Sequence, residues 1–309
     1  MVFMGTPDFA VPTLRGLIAD GRYQVTLVVS QPDKPKGRGQ KMIATPVKAA
    51  ALEHGVPVIQ PVKARNPESV AAIAAEKPDF IVVVAYGQIL PLSILSIPRL
   101  GPVNLHASLL PRWRGAAPIH RAFLAGDTIT GACAMIMEEG LDTGPTLACR
   151  KTEITDEDTT GRLHDRLALS GAVLMTETLA EFAAGNLTPR PQDSSLATHA
   201  AKLTKQDFII DWTQTAHEVS LKIRGLSPFP GAVTGLHGKS IKPLFCKMAK
   251  AGLSSGPGQV VAIGEEGITV ACGSGAVTIT ELKPEGKAAM AAHAFTLGHD
   301  IKIGDVFIS

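Results

Sequence analysis

Aromatic residues are scarce in this chain of 309 residues: two Trp, two Tyr and ten Phe amount to 5%. Its core must be aliphatic, and a 45% hydrophobic content is enough to fill a sizeable one. Charge of one sign is lacking too. Thirty Lys plus Arg against twenty-eight Asp plus Glu leave a formal +2. That excludes a general polyanion binder and confines any nucleic-acid surface to a local patch. The four cysteines, Cys133, Cys149, Cys246 and Cys272, show no C-x-x-C spacing. They are expected to be small buried apolar residues of a reducing compartment, not a disulfide framework or a zinc site. No run reaches the ~18–20 apolar residues of a membrane span. Met1–Gly5 carries no basic stretch that would open a signal peptide. A cytoplasmic protein with no membrane partner is expected.

What is present is alternation. Val2–Met4, Val25–Val29, Val56–Ile59, Phe80–Ala85, Val103–Leu105, Ala132–Met137 and Thr146–Cys149 read as short strands, separated by helical patterns at Ala10–Ala19 and Glu68–Ala75. This is how a parallel α/β sheet reads, and Phe80–Ala85, apolar on both faces, reads as a central strand. Leu163, Leu167, Leu174, Thr178 and Phe182 mark a long helix over Thr159–Ala184. The texture changes at Gly185, where Gly, Pro and polar residues compose a linker over 185–206. Over 207–309 short Gly-punctuated runs at regular spacing suggest a small β-barrel or sandwich.

Chemistry concentrates in Asn104-Leu-His106-Ala-Ser108-Leu-Leu-Pro111-Arg-Trp-Arg114-Gly115, which leaves a strand for a loop. Ligands of open α/β sheets collect at the carboxyl ends of strands. Period-two alternation puts Asn104 and His106 on one side and turns Leu105 into the core. An amide beside an imidazole offers a donor to a developing oxyanion and a group that titrates near neutral pH. A carboxylate is available in the Glu138–Gly144 loop, as Asp142 between two glycines. On residue chemistry alone, His106 is equally a hydrogen-bonded loop histidine, Asn104 a cap, and Asp142 an Asx-turn residue.

The segments Asn104–Pro111 and Gly140–Gly144 resemble the folate-dependent formyltransferases. The same resemblance runs through Gly5–Ala10, Gln31–Gly39, Val84–Gly87, Arg112–Pro118, Lys202–Lys205, Ile210–Trp212 and Arg224–Gly231. It implies an α/β fold: a Rossmann-like, mostly parallel sheet with helices on both faces in a catalytic domain (1–184), and a smaller OB-like C-terminal β-barrel that binds tRNA (207–309). It implies Asn104, His106 and Asp142 as the catalytic set. Ser108, Leu109, Leu110 and Pro111 would lie against the folate, with Tyr86, Gly87 and Ile89 walling its pterin. The formyl donor would be 10-formyltetrahydrofolate, the acceptor an initiator methionyl-tRNA, with no metal, and the protein a monomer. Val233 departs from the pattern, standing where the family often has an aromatic residue.

Two basic stretches fit an RNA acceptor. Gln31–Lys48 holds Lys34, Lys36, Arg38, Lys41 and Lys48 against Asp33 alone, and its Pro and Gly residues are expected to keep it out of regular structure. By the resemblance this insertion contacts tRNA, with Arg38 at its tip. From Val219 to Gly264 there is no Asp or Glu, but there are Lys222, Arg224, Lys239, Lys242, Lys247 and Lys250. Such surfaces bind phosphates without reading sequence, although a basic face that aids solubility has the same composition. An amino sugar nucleotide as acceptor would not need them. A catalytically inactive RNA-binding module is disfavoured by the intact Asn104, His106 and Asp142. A nicotinamide dehydrogenase is disfavoured because Gly37–Gly39 and Gly273–Gly275 lack the strand–helix setting of a dinucleotide fingerprint.

Overall fold

The structure, a computed structural model, describes residues 1–36, 41–249 and 255–309. In chain order its elements are β1 (Val2–Gly5), α1 (Val11–Ala19), β2 (Leu27–Val29), β3 (Lys34–Lys36), β4 (Lys41–Ile43), α2 (Pro46–Glu53), β5 (Val58–Ile59), α3 (Pro67–Ala75), β6 (Phe80–Val84), α4 (Leu92–Leu95), β7 (Gly101–His106) and β8 (Arg114–Gly115). There follow α5 (Pro118–Leu124), β9 (Ile129–Ile136), β10 (Thr146–Glu153), α6 (Thr160–Ala183), β11 (His199–Ala200), α7 (Ala216–Gly225), β12 (Thr234–Leu236), β13 (Lys239–Ala249), β14 (Val260–Gly264), β15 (Gly267–Ala271), β16 (Ala276–Pro284), β17 (Met290–Ala291) and α8 (Ala292–Gly298). Two compact units result. The first comprises Met1–Pro118, Ile129–Glu153 and His164–Ala200; the second comprises Ile119–Thr128, Ile154–Leu163 and Ala201–Ser309.

The first unit is a Rossmann-like sheet of seven strands in the order β10-β9-β7-β6-β1-β2-β5. The five strands from β5 to β7 run parallel, while β9 and β10 are antiparallel to their neighbours. β1 and β6 are buried at every position, as strands covered by helices on both faces should be. Leu105 of β7 packs against α6 at Gly171, so the neighbouring positions 104 and 106 face the other side. α2 begins where Thr45 accepts the Lys48 N–H and Pro46 occupies the first turn, a start in which the missing proline N–H costs nothing.

Two expectations need correcting here. Gln31–Lys48 is not free of regular structure: β3 and β4 pair as a short antiparallel ribbon, Pro35 opposite Met42. A two-stranded ribbon has an outward edge on which a proline loses no ladder bond. The cysteines are not all small apolar core residues either. Cys133 and Cys149 lie directly opposite in the β9–β10 register and form a disulfide, their Cα atoms 4.1 Å apart. Cys246 and Cys272 are free and buried. Within 185–206, Arg190 makes an antiparallel bridge to Thr146, and β11 pairs in parallel with β8.

In the second unit the antiparallel strands follow the order β12-β13-β16-β15-β14, with β17 against β16. The curled sheet is drawn together at its edges by the final segment. Ile308 bridges to Gly235 beside β12, and Val306 bridges to Gln259 beside β14. Ile223, Val260, Ile268, Val277, Ile279 and Phe307 fill the interior. Two helices join what the sequence presents as strands alone. α7 opens on a capping box in which Thr215 and Glu218 satisfy each other's backbone N–H groups. Its Arg224 is 5% exposed and donates to the carbonyls of Thr155, Asp156 and Asp158 at 3.1, 3.1 and 3.2 Å. Lys222 Nζ donates to the Asp207 carbonyl at 2.9 Å, and burial lowers its pKa. Two of the six basic residues counted over 219–264 are therefore committed inside the fold. Among the described residues no helix is long and apolar enough to cross a membrane.

Removing the Arg224 guanidinium takes the donor from the buried Asp158 carbonyl and from the partly buried Thr155 and Asp156 carbonyls, each bond worth roughly 1 kcal/mol. Arg224→Leu is expected to lower stability by about 3 kcal/mol in urea denaturation. A second outcome follows from Asp207, whose carboxyl is held down to about 2, chiefly by the Arg121 hydrogen bond. Because the folded pKa lies below the unfolded one (~3.9), this stabilisation is full above about pH 4 and disappears as pH falls towards about 2. Denaturation of Asp207→Asn should show a flatter dependence on pH across that window.

Candidate active site

β7 carries Asn104 opposite Met135 and His106 opposite Cys133 of β9. Lying inside the sheet, it makes a rigid platform. Both side chains are nearly enclosed, Asn104 at 9% and His106 at 6% exposure. The chain then curls back. Ser108, fully buried, donates its hydroxyl to the Arg112 carbonyl at 2.6 Å, and Arg112 N–H reaches the Leu109 carbonyl at 3.1 Å. Leu110–Pro111 is cis and Trp113 takes a left-handed φ of 63°. This turn delivers the Trp113 carbonyl to His106 Nε2 at 2.9 Å. The far side of the turn is fastened to Thr198, whose hydroxyl accepts the Trp113 N–H and whose carbonyl accepts the Arg114 N–H, both at 2.9 Å.

Asp142 arrives from the other direction. Antiparallel β9 ends beside the start of β7, where Met137 N–H meets the Pro102 carbonyl at 2.9 Å. The chain must fold back to reach His106. A Cβ at Gly144 would collide with the Ile136 carbonyl, so only glycine permits the return. Asp142 sits at a left-handed φ of 54°. Its Oδ2 accepts the Gly115 N–H at 2.9 Å and lies 3.5 Å from His106 Nδ1. Gly115 is itself at φ 124°, and a Cβ there would lie 2.8 Å from the Ala200 carbonyl. His106 is thus faced by an acceptor at each ring nitrogen, a backbone carbonyl at Nε2 and a carboxylate at Nδ1. That arrangement fixes the ring's plane and suits a residue that shuttles a proton.

A cleft of about 520 Å³ opens in the same unit, lined by Leu92, Leu95 and Ser96 of α4 and its end, and by Met137, Glu138, Glu139 and Gly140. Leu92, Leu95 and Met137 give it an apolar wall. The structure brings His106 and Asp142 together, and Asn104 lies two residues before His106 on the same face of β7. The expected folate contacts are dispersed: Ser108 is internal to the turn, Leu109, Leu110 and Pro111 are half-buried, and Ile89 is 90% exposed. Tyr86 packs in the core with Leu95 and Met137, which also line the cleft. Its hydroxyl is buried without a hydrogen-bond partner, and desolvation pushes its pKa up to about 12. Gly87 is exposed beside the Gln31 amide. The cleft residues on α4 carried no sequence signal, whereas the glycine-flanked Glu138–Gly144 loop did.

The basic residues divide similarly. Lys48 Nζ meets Asp33 at 2.6 Å and anchors the base of the ribbon. Lys34 is exposed on β3, and Lys36 and Lys41 pair across the ribbon's end. Arg38 and Lys250 lie outside the described residues. In the second unit Lys239 and Lys247 are exposed, while half-buried Lys242 donates to the Pro230 carbonyl at 2.8 Å. Lys242 also faces Lys283 in the β13–β16 register, a like-charge pair that an anion would relieve.

The chain belongs to the formyl transferase family. Residues 1–179 match the formyl transferase model, and residues 202–300 the model of the formyl transferase C-terminal domain. The chain is 48% identical over 304 residues to the methionyl-tRNA formyltransferase of Geobacter sulfurreducens, covering 98% of this chain and 95% of that one. It is 49% identical over 308 residues to the protein of that name from Jannaschia sp., covering 99% of each. Among solved structures it is similar to WlaRD, a sugar 3N-formyl transferase seen with dTDP and 5-N-formyl-THF, at a TM-score of 0.66 and 16% identity over 93% of this chain and 98% of that one. HypX from Aquifex aeolicus, seen with tetrahydrofolic acid, gives 0.64 and 18% over 96% of this chain and 46% of its own. These two likenesses concern the fold.

Gly115→Ala is expected to cost about 1–3 kcal/mol in chemical denaturation through its left-handed φ and its approach to Ala200. Gly21→Ala, where a Cβ meets nothing within 4 Å, should stay within about 0.5 kcal/mol of the parent.

Proposed function

We infer that this protein moves the formyl group of 10-formyltetrahydrofolate onto the amino group of methionyl-initiator tRNA. The observation that carries this reading is near-full-length identity, through both matched regions, to proteins bearing the name of that activity. The roles of the parts follow from it: residues 1–184 perform the chemistry, 185–206 connect, and 207–309 bind tRNA. An amino sugar nucleotide as acceptor is supported by likeness of fold alone. The setting is the bacterial cytoplasm, and the working form is a monomer.

The residues divide the labour as follows. The methionyl amine, as the free base, attacks the formyl carbon while the bond from that carbon to N10 of the folate breaks. The formyl oxygen gains negative charge in between. Asn104 donates to it through its carboxamide, and His106 does so through Nε2 once the oxygen replaces the Trp113 carbonyl as acceptor. Preorganised donors of this kind are worth most where water is excluded, as the low exposure of both side chains provides. The proton released by the amine passes to the leaving N10, giving tetrahydrofolate and the N-formylated product. Asp142 holds the ring and offsets its charge when protonated. The folate occupies the cleft between α4 and the Glu138–Gly140 backbone, with Ser108–Pro111 shaping the turn beside the reacting centre. Tyr86, Gly87 and Ile89 belong to the connection that leads into α4. Lys34, Lys36 and Lys41 of the ribbon, Lys239, Lys242 and Lys247 of the second unit, and Arg38 contact tRNA phosphates.

The deciding assay offers 10-formyltetrahydrofolate with charged initiator tRNA, free methionine or an amino sugar nucleotide. Product on the tRNA alone is expected; product on the sugar would overturn the choice of acceptor and leave the chemistry standing. His106→Ala and Asp142→Asn should each lower kcat by about 10²-fold or more, with unfolding midpoints unchanged. Turnover surviving in both variants would remove these residues from the mechanism.

A further inference from the structure

Gln192 lies in the stretch that the sequence presents as a linker, and no motif marks it. Its carboxamide nevertheless joins the two loops that make the site. Nε2 donates to the carbonyls of Asp142 at 2.9 Å and Gly144 at 2.7 Å. Oε1 accepts from Arg114 Nε at 3.0 Å and from a second guanidinium nitrogen of Arg114 at 2.9 Å. Every hydrogen-bonding capacity of the amide is used. The orientation is chemically forced, because carbonyls only accept and a guanidinium only donates.

The placement is equally determined. Arg190 and Thr146 exchange backbone bonds at 2.9 and 2.8 Å, which sets residue 192 over the apex of the Asp142 loop. Arg114 precedes Gly115, whose N–H holds the Asp142 carboxylate, and follows Trp113, whose carbonyl holds His106. One amide therefore ties the strand of backbone that grips both catalytic side chains to the loop that supplies one of them. Asp142 is in a left-handed conformation, which needs such support to persist.

We propose that Gln192 is a positioning residue for formyl transfer, fixing the separation of the Asp142 carboxylate from His106 by clamping the Asp142–Gly144 backbone to Arg114. The proposal rests on the reading of His106 and Asp142 as catalytic. Its physical content is that displacement of a reacting group by about 1 Å can cost 10²-fold in rate.

The test uses the full-length protein with charged initiator tRNA and 10-formyltetrahydrofolate. Gln192→Glu keeps the acceptor for Arg114 and adds an ion pair, but sets an oxygen against two carbonyls. It should fold with an undiminished thermal midpoint and yet lose about 10-fold or more in kcat, with KM for tRNA within about twofold. Gln192→Met, which keeps the shape and removes all four bonds, should lose kcat similarly. Both variants should displace the pH–rate profile relative to the parent, a readout that a merely structural role would leave in place. Combining Gln192→Met with Arg114→Met should cost little more than the larger single change, since both break one clamp. Parental kcat and pH profile in Gln192→Glu and Gln192→Met, alongside an inactive His106→Ala, would overturn the role of Gln192 alone. An active His106→Ala would instead remove the reading on which it rests.

Discussion

A single oxygen, Oδ2 of Asp142, accepts the Gly115 N–H and faces the His106 ring, and much of the first unit is arranged so that it can. Antiparallel β9 carries its loop away from His106, so the chain has to double back between Ile136 and Asp142. The doubling back needs a glycine against the Ile136 carbonyl and a left-handed aspartate. The partner turn needs a left-handed tryptophan and a second constrained glycine. Conformations of this sort cost on the order of 1–3 kcal/mol each and persist where surrounding structure over-determines them. The surroundings here are stiff: a sheet whose central strands are buried throughout, and a segment around β11 sewn across both loops. Strain at the site and rigidity of the sheet are two sides of one arrangement.

Charge is handled by subtraction. The second unit is rich in lysine and arginine, but Arg224 is turned to backbone carbonyls, Lys222 to the Asp207 carbonyl and Lys242 partly to Pro230. What remains free to meet an anion is a smaller set than composition implies, and Lys239 and Lys247 stand out in it. The same holds on the ribbon, where Lys48 is neutralised by Asp33. Net charge is thus a poor guide to a binding surface, because a guanidinium or ammonium that completes the fold's hydrogen bonds is unavailable for phosphates.

Legibility in the sequence followed the range of the interactions involved. β6, β15 and α6 were plain because their patterns are local: five consecutive apolar residues, a short run between glycines, a long three-to-four repeat. Asn104, His106 and Asp142 were visible as chemistry, and the resemblance joined them, since nothing in their spacing shows that the later loop returns. α7 was hidden because its start depends on Thr215 and Glu218 acting together while its interior mixes apolar and basic residues. The β3–β4 ribbon was hidden by Pro35, which usually argues against a strand. The Cys133–Cys149 bond is a consequence of strand register, and register is a property of the folded sheet. Gln192 escaped for the same reason: four bonds to residues 48 to 78 positions away leave no trace in the text around it.

The distribution of sulfur gives the molecule an internal reporter. With Cys133 and Cys149 joined in the first unit, the chain's remaining thiols, Cys246 and Cys272, both belong to the interior of the second. Burial pushes them to about 11 and about 12, so a thiolate, the form that reacts with alkylating reagents, is almost absent while the barrel stays shut. Labelling of the native protein accordingly proceeds only through opening of that interior. Its rate times the breathing of the second unit and is silent about the first.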